Sequence, residues 1–526
     1  MNYITRQSDQ AVTAVYEAHF GFGFLRIQFF REYCPGYQLS AVSNLLGATN
    51  LQNCRILQFC RLKKKLLCDI IISKNVEFYR KGDYMIKRDK YLSQLIMNRD
   101  NGFPKVITGM RRSGKSYLLK EIYAEYLFST GVQKEHIIFI ELDDDRNVLY
   151  RNPIELGRFV REKCTDEDMY YVFIDEIQLV FSVVNPALTG GEIRLAGKGD
   201  TEIVSFVDVI LGLSREANID LYVTGSNSRM LSTDIITQFR DKAVNITLAP
   251  LSFREFYDYR GIPATEAIYE YMQYGGMPLV VLKSENEKKE YLKGLFETTY
   301  FRDIIERNNL RKSESLDELC DILSQSTGQL INSEKIANTY KSIKKENIDK
   351  LTVEKYIGYF KDSFLLREAK RYDLKGRREI GALRKYYFED TGLRNARLDF
   401  IYPDEGQMLE NIVYNELVYN GYSVNVGVFD SVEKDKSGKS ARKTNEVDFY
   451  AVKENRRIYV QVCADISNPQ TKEREIRPYI LLNDQVRKII VMNRPIKETI
   501  DEKGFTIIGI TEFLLKLSEN DSGQIF

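Results

Sequence analysis

Eight consecutive residues, Gly109-Met110-Arg111-Arg112-Ser113-Gly114-Lys115-Ser116, constrain the fold of this chain more than any other segment. They spell G-x-x-x-x-G-K-S, entered from the apolar run Val106-Ile107-Thr108 and left through the helix-like Tyr117-Leu118-Leu119-Lys120-Glu121-Ile122. Glycines let backbone N–H groups close around phosphate oxygens, and the following helix adds the positive end of its dipole. In such a loop the lysine, Lys115, reaches the β- and γ-phosphates, and the Ser116 hydroxyl is a Mg²⁺ ligand. The segment from Gly109 to Tyr117 therefore predicts strand, phosphate cradle and helix, the first unit of an α/β domain that takes ATP with Mg²⁺.

About 60 residues on, Tyr170-Tyr171-Val172-Phe173-Ile174 runs into Asp175-Glu176-Ile177-Gln178, the pattern of a buried strand ending in two acids. Asp175 is placed to hold the Mg²⁺ shell and Glu176 to polarise the attacking water, since phosphoryl transfer is largely positioning and charge stabilisation. Leu221-Tyr222-Val223 precedes Thr224-Gly225-Ser226-Asn227, and Asn227 is the candidate for a side-chain amide that senses the γ-phosphate. A plain Gly-Ser-Asn turn is the competing reading of that segment.

These pieces resemble the bacterial and archaeal AAA-type P-loop ATPases that carry a C-terminal restriction-endonuclease-like (PD-(D/E)xK-type) domain. Shared features are Thr224-Gly225-Ser226-Asn227, Pro250-Leu251-Ser252-Phe253 and Tyr274-Gly275-Gly276-Met277-Pro278, and the resemblance extends over residues 85–495. It implies an AAA-type parallel sheet, a helical lid, and assembly into a dimer or ring with an arginine supplied in trans. Members carry Gly-Arg before the last core strand; this chain has Arg240-Asp241-Lys242 there. Arg240 is the substitute candidate for the arginine finger and Lys242 the positional match, against a solvated charge cluster.

The chain has 526 residues, 43% of them hydrophobic and 29% charged, enough for several soluble domains. A net charge of +1 gives no global attraction to nucleic acid, so any such contact must come from a local patch. The 7 cysteines make no disulfide framework, and with 2 histidines a zinc site is not expected. No apolar run reaches the roughly 18–20 residues of a membrane span, which predicts a cytoplasmic protein without membrane partners.

Residues 1–84 hold four of the cysteines, show no sustained period, and precede a segment at Met85 typical of the family's start. They are read as an upstream extension, with a small N-terminal domain as the rival. Residues 85–260 are expected to form the ATPase core, 261–314 a helical lid, 315–400 a winged helix and 401–526 the nuclease-like α/β domain. Arg302 on the lid is a weaker candidate for nucleotide contact.

In the winged-helix region Ser333 opens the positioning helix and Thr352 caps the next. The basic stretch with Lys370, Arg371, Lys375, Arg377 and Arg378 reads as a wing able to meet DNA phosphates, or as a solvated hairpin. In the last region Glu410, Asp448 and Gln461 fall in the metal-holding places of a PD-(D/E)xK core. Cys463 occupies its lysine place and cannot supply a fixed cation, so the domain is expected to be degenerate. Glu446 is expected on the opposite face of its strand from Asp448.

The chain is thus read as a Mg·ATP-dependent AAA-type ATPase with Lys115, Glu176 and Asn227 at its catalytic centre, coupled to a winged-helix and nuclease-like module and to DNA or a protein partner. An ATP-dependent DNA nuclease and a non-hydrolysing nucleotide switch are the alternatives.

Overall fold

The computed structural model describes residues 3–8, 11–20, 23–30, 86–197, 199–226, 242–310, 314–344, 348–401, 404–434, 440–464 and 469–519. The chain divides into two compact units, Met1–Ile86 and Lys87–Phe526. In the first, Tyr3–Ser8, Ala11–Phe20 and Gly23–Phe30 form an antiparallel meander. The sequence reading contained no strands there.

The second unit begins its chemistry on a five-stranded parallel sheet: β1 (Lys105–Gly109), β2 (Ile137–Glu141), β3 (Tyr170–Asp175), β4 (Ile219–Gly225) and β5 (Val244–Leu248), in the order β5-β1-β4-β3-β2. β1 and β4 are buried at every position because helices cover both faces, which is why their sequences run apolar without alternation. The core on one face gathers Val106, Ile140, Val172, Ile174, Leu221 and Val223 against Leu156, Val160 and Ile210. This is the P-loop AAA-type sheet the sequence predicted. Its carboxyl edge carries Gly109, Asp175 and Gly225, the last residues of β1, β3 and β4.

After β5 come α1 (Phe253–Arg260) and α2 (Ala264–Tyr274), followed by helices Pro278–Val281, Glu285–Leu295 and Arg302–Arg307. Helices Glu314–Gln325, Ser333–Thr339 and Lys350–Asp362 then combine with three antiparallel strands, β6 (Leu330–Ile331), β7 (Leu366–Asp373) and β8 (Arg378–Phe388). The cap of the Lys350–Asp362 helix is Asp349, not Thr352: the Asp349 carboxylate accepts from the Thr352 N–H at 2.8 Å, which puts Thr352 inside the first turn.

Two further helices, α3 (Thr391–Arg397) and α4 (Glu405–Tyr419), lead into β9 (Ser423–Lys434), β10 (Ser440–Lys453) and β11 (Arg456–Cys463). Then come α5 (Pro469–Leu482), β12 (Arg487–Met492), β13 (Thr499–Ile500) and β14 (Thr506–Gly509). All of these strands join the earlier three in one nine-stranded sheet, ordered β6-β8-β7-β9-β10-β11-β12-β14-β13. The seam is parallel: Arg371, Tyr372 and Asp373 of β7 pair with Val426, Gly427 and Val428 of β9.

One of the junctions between the AAA core and this C-terminal sheet lies at α3. Asp390, buried at the start of α3, accepts from the Gly276 N–H at 2.7 Å and the Leu393 N–H at 3.0 Å. Asn395 Nδ2 caps the end of α2 by donating to the Met272 and Gln273 carbonyls, each at 3.0 Å. Gly275 has φ +71°, and a Cβ there would lie 2.2 Å from Asp390 Oδ1, so glycine is required twice over. Gly276 in turn accepts from the Leu251 N–H at 2.8 Å. The Tyr274-to-Pro278 and Pro250-to-Phe253 motifs are therefore two halves of one contact.

Candidate functional site

The phosphate loop is built around three residues in the left-handed region, Gly109 (φ +143°), Arg112 (φ +66°) and Gly114 (φ +96°). A Cβ on Gly109 would sit 2.1 Å from the Leu248 carbonyl oxygen of β5, so the loop's first turn is possible only for glycine. Gly114 is the residue before the helix that starts at Lys115–Tyr117, passes through a π turn at Leu118–Tyr123 and continues as Ala124–Ser129.

Lys115 is buried, and its Nζ donates to the Gly109 and Met110 carbonyls at 3.1 and 2.9 Å. Burial pulls its pKa down to about 8, against the opposing pull of Glu176 and Asp175. Ser113 is fully buried and its Oγ has no hydrogen-bond partner, an unsatisfied group inside the cradle.

Ser116 Oγ donates to Asp175 Oδ2 at 2.5 Å, so the last residue of the loop and the end of β3 meet as expected. A hydroxyl and a carboxylate at this point are the hard oxygen donors that Mg²⁺ takes, and together with Lys115 and the unsatisfied Ser113 they fit Mg·ATP.

The structure adds three residues that the sequence reading gave no role. Thr224 donates to Asp175 Oδ1 and accepts from the Glu176 N–H. Glu176, in the left-handed region at φ +56°, has its Oε2 held by Ser226 Oγ at 3.2 Å and by Gln178 Nε2. The Gln178 Oε1 is buried without a partner. The signal for Thr224 was the parallel register: Ile174 pairs with Val223, so the next residues on, Asp175 and Thr224, are neighbours.

Other loop residues face the helices after α2 rather than the cradle. Met110 is buried in the cluster formed by the helices from Pro278 to Asp362 and the segments around them, while Tyr117 is exposed. Arg111 Nη1 meets Asp303 at 3.1 Å, and the Tyr300 hydroxyl donates to the Arg111 carbonyl. Arg302 turns away: it pairs with Glu306 at 2.7 Å, one turn along its own helix, with 71% of its side chain exposed. Asn227 and Arg240 lie outside the described residues.

Glu410 of α4 and Asp448 of β10 lie close enough for their charges to interact. Glu446 joins them rather than facing away, because residues two apart on a strand share a face. Between them stands a lysine no motif indicated: Lys385 of β8, 2.9 Å from Glu446 and 3.0 Å from Glu410, with the Tyr387 hydroxyl 2.7 Å from the same Glu410 oxygen. Burial works against the Lys385 ammonium, but Glu410, Asp448 and Glu446 outweigh it and hold its pKa well above the ordinary lysine value. Burial, then the Glu410 charge, push the Asp448 carboxyl well above its usual range.

Gln461 is occupied on both ends, accepting from the Asp448 N–H at 3.3 Å and donating to Glu475 of α5 at 2.9 Å. Cys463 is buried among Val447, Tyr479, Ile490 and Met492. Of the cations on and between β7 and β8, Lys370 pairs with Glu379 at 2.9 Å and Lys375 Nζ donates to the Asp430 carbonyl at 3.2 Å. Arg371 is half-buried with its Nε unpartnered, whereas Arg377 and Arg378 are exposed.

A family model described as an AAA domain matches residues 101–257, and one described as a domain of unknown function matches residues 265–403. An uncharacterized protein of Haemophilus influenzae is 31% identical over 438 residues, which span 82% of this chain and 99% of that protein. The chain belongs to that protein's AAA-domain family. A second relative of this AAA-domain protein, an uncharacterized protein of Methanocaldococcus jannaschii, is 28% identical over 86% of the chain and 96% of its own length.

Among solved structures, the Aeropyrum pernix ORC1 protein in complex with DNA aligns at 11% identity and TM-score 0.26, over 61% of this chain and 92% of its own. The replication initiator DnaA bound to AMPPCP and single-stranded DNA aligns at 13% identity and TM-score 0.26, over 52% and 86%. Likenesses this remote carry no argument about ligands. Among the described residues no helix is long and apolar enough to cross a membrane.

Proposed function

We propose that this AAA-domain protein binds Mg·ATP at residues 109–116, hydrolyses it with Glu176 orienting the attacking water, and passes the nucleotide state to a winged-helix and nuclease-like C-terminus that associates with DNA. One observation carries the reading: Ser116 and Asp175 in contact beside the buried Lys115, with Glu176 held at the same sheet edge by Ser226 and Gln178. Mg²⁺ held by Ser116 and Asp175 would neutralise charge on the β- and γ-phosphate oxygens. Lys115 supplies a fixed cation to the same oxygens, and Glu176 accepts the water's hydrogen bond in a geometry fixed by Ser226 and Gln178.

The route outward is supported by Arg111, which meets the lid at Asp303 and Tyr300, and by Asp390, which links Gly276 to α3. DNA association is supported by the exposed Arg377 and Arg378 at the turn between β7 and β8. The test is steady-state ATP hydrolysis by the whole chain, with and without DNA. Glu176→Gln is expected to keep ATP binding and lower turnover by about 100-fold or more. Undiminished turnover in that variant overturns the assignment of Glu176, and binding without turnover in the wild type favours a nucleotide switch.

Lys385 favours a second reading, phosphodiester cleavage at the C-terminal sheet. Here the cation that Cys463 lacks comes from a different strand, beside Glu410 and Asp448, which would hold the metal. Cleavage of plasmid DNA with Mg²⁺ or Mn²⁺, lost in Asp448→Ala and in Lys385→Ala, is the expected outcome under this reading. An uncut plasmid rejects it.

A further inference from the structure

On the other face of the C-terminal sheet from the carboxylate cluster lies a cavity of about 520 Å³. The two faces separate at adjacent residues of β10: Phe449 packs against Tyr387 and Tyr414, whereas Tyr450 belongs to the opposite cluster with Val447 and Tyr459. Tyr372, Tyr450 and Tyr459 line the cavity from three different strands, with ring centroids 5.1 Å apart for Tyr372–Tyr450 and 5.5 Å for Tyr450–Tyr459. Tyr450 and Tyr459 are buried in the floor, while Tyr372 keeps part of its surface open.

Charge at the mouth is one-sided. Asp484, the acid in the lining, is consumed: it accepts from the Tyr459 hydroxyl at 2.8 Å and from Lys488 Nζ at 2.9 Å. Arg377, on the turn between β7 and β8, and Arg457, on β11, are both exposed and line the cavity, and neither has an acidic partner among the described residues. Both guanidinium charges reach Tyr450: burial raises its hydroxyl pKa, and Arg457 and Arg377 act against that rise. The cavity falls in the range of about 300–1,000 Å³ that takes one small-molecule-sized group. A concave aromatic floor under two cations suits an anion that carries a planar ring. A base paired and stacked in a duplex cannot enter such a recess; an unpaired base can.

We propose that this cavity binds a segment of single-stranded nucleic acid, with a base against Tyr372 and the adjoining phosphate between Arg377 and Arg457. The proposal rests on the DNA-associated reading of the molecule and assigns it a place and a strand type.

Fluorescence anisotropy of the whole chain with a labelled oligodeoxythymidylate of about 12 nucleotides, within the span single-strand sites cover, tests it. The Arg377→Ala/Arg457→Ala pair, both on the surface, is expected to weaken binding about tenfold or more and to flatten the salt dependence by about two phosphate contacts. Tyr372→Phe should bind as the wild type does, and Tyr372→Leu should lose about tenfold at unchanged thermal stability. Lys350→Ala, which removes an exposed cation paired with Glu354 one turn along its own helix, is the control and should change little.

Wild-type affinity in the double arginine variant overturns the proposal while leaving DNA association standing, as does binding of duplex but not single strand. Thymidine monophosphate that competes as well as the oligonucleotide, mole for mole, overturns the strand in favour of a free nucleotide. Absence of binding to either single strand or duplex overturns both the proposal and the reading beneath it.

Discussion

Lys115 is a buried ammonium hydrogen-bonded to two carbonyls of its own loop, an arrangement to which a phosphate would add a direct anionic partner. Lys115→Ala is expected to abolish ATP binding by isothermal titration calorimetry; retained micromolar affinity would sink the assignment. Its depressed pKa gives a second expectation with a defined sign. In the free protein Lys115 loses its proton near pH 8, whereas a bound triphosphate favours the ammonium, so binding above that pH takes up a proton. Affinity should be level below about pH 8 and fall by up to about tenfold per pH unit above it. Calorimetry in buffers of different ionisation enthalpy would reveal the proton uptake, and a pH-independent affinity would count against it.

At this scale the loop was legible because backbone geometry dictates residue type: only glycine clears Leu248 at position 109. Thr224, Ser226 and Gln178 were not, since their roles depend on which strands lie side by side and on the left-handed turn at Glu176. Lys385 was hidden for a related reason. It reaches Glu410 and Glu446 from a strand outside the sequence pattern that marks the carboxylates.

Among the elements, the joint of α2 with α3 is one of the links between the core and the C-terminal sheet. Asp390 satisfies backbone N–H groups on both sides of it, at Gly276 and at Leu393. Asp390→Ala leaves them buried and unpaired, and should destabilise the protein by about 2–4 kcal/mol in urea unfolding followed by circular dichroism. Asp390→Asn, which keeps one acceptor oxygen, should recover part of the loss. A change below about 0.5 kcal/mol in the alanine variant would mean that the joint relaxes freely.

Element types along the AAA core followed from apolar runs and the glycine loop. The cap of the Lys350–Asp362 helix did not, since Asp349 and Thr352 are both good capping residues and only the backbone conformation chooses between them. The order of the nine-stranded sheet was beyond reach because the β7–β9 seam joins segments whose sequences carry no mark of each other.

For the molecule as a whole, α4 reaches across to the AAA core and places Glu416 at the start of α1. There Glu416 Oε1 accepts from the Phe253 N–H at 2.5 Å, while its other oxygen is buried without a partner. Burial raises the carboxyl to about 8, with Glu255 adding to the rise and the Phe253 N–H and Lys90 opposing it. A raised acid binds its proton more tightly folded than unfolded. Stability from this site is therefore full below about pH 4.5, declines as the unfolded chain ionises, and levels off above about pH 8. Glu416→Gln should match the wild type near pH 5 and exceed it at pH 8.5 by about 2 kcal/mol or more, read as a higher Tm. Equal Tm values at both pH values would refute the shift.

The parallel seam between β7 and β9 bears on how this protein can be cut for study. A fragment ending near residue 403 would strip β9 from residues 371–373 and bare the backbone donors and acceptors of an inner strand as a new edge. Such a fragment should self-associate, and limited proteolysis of the intact chain should spare this seam. Expression boundaries that stop at residue 403 would cut through one sheet of one compact unit.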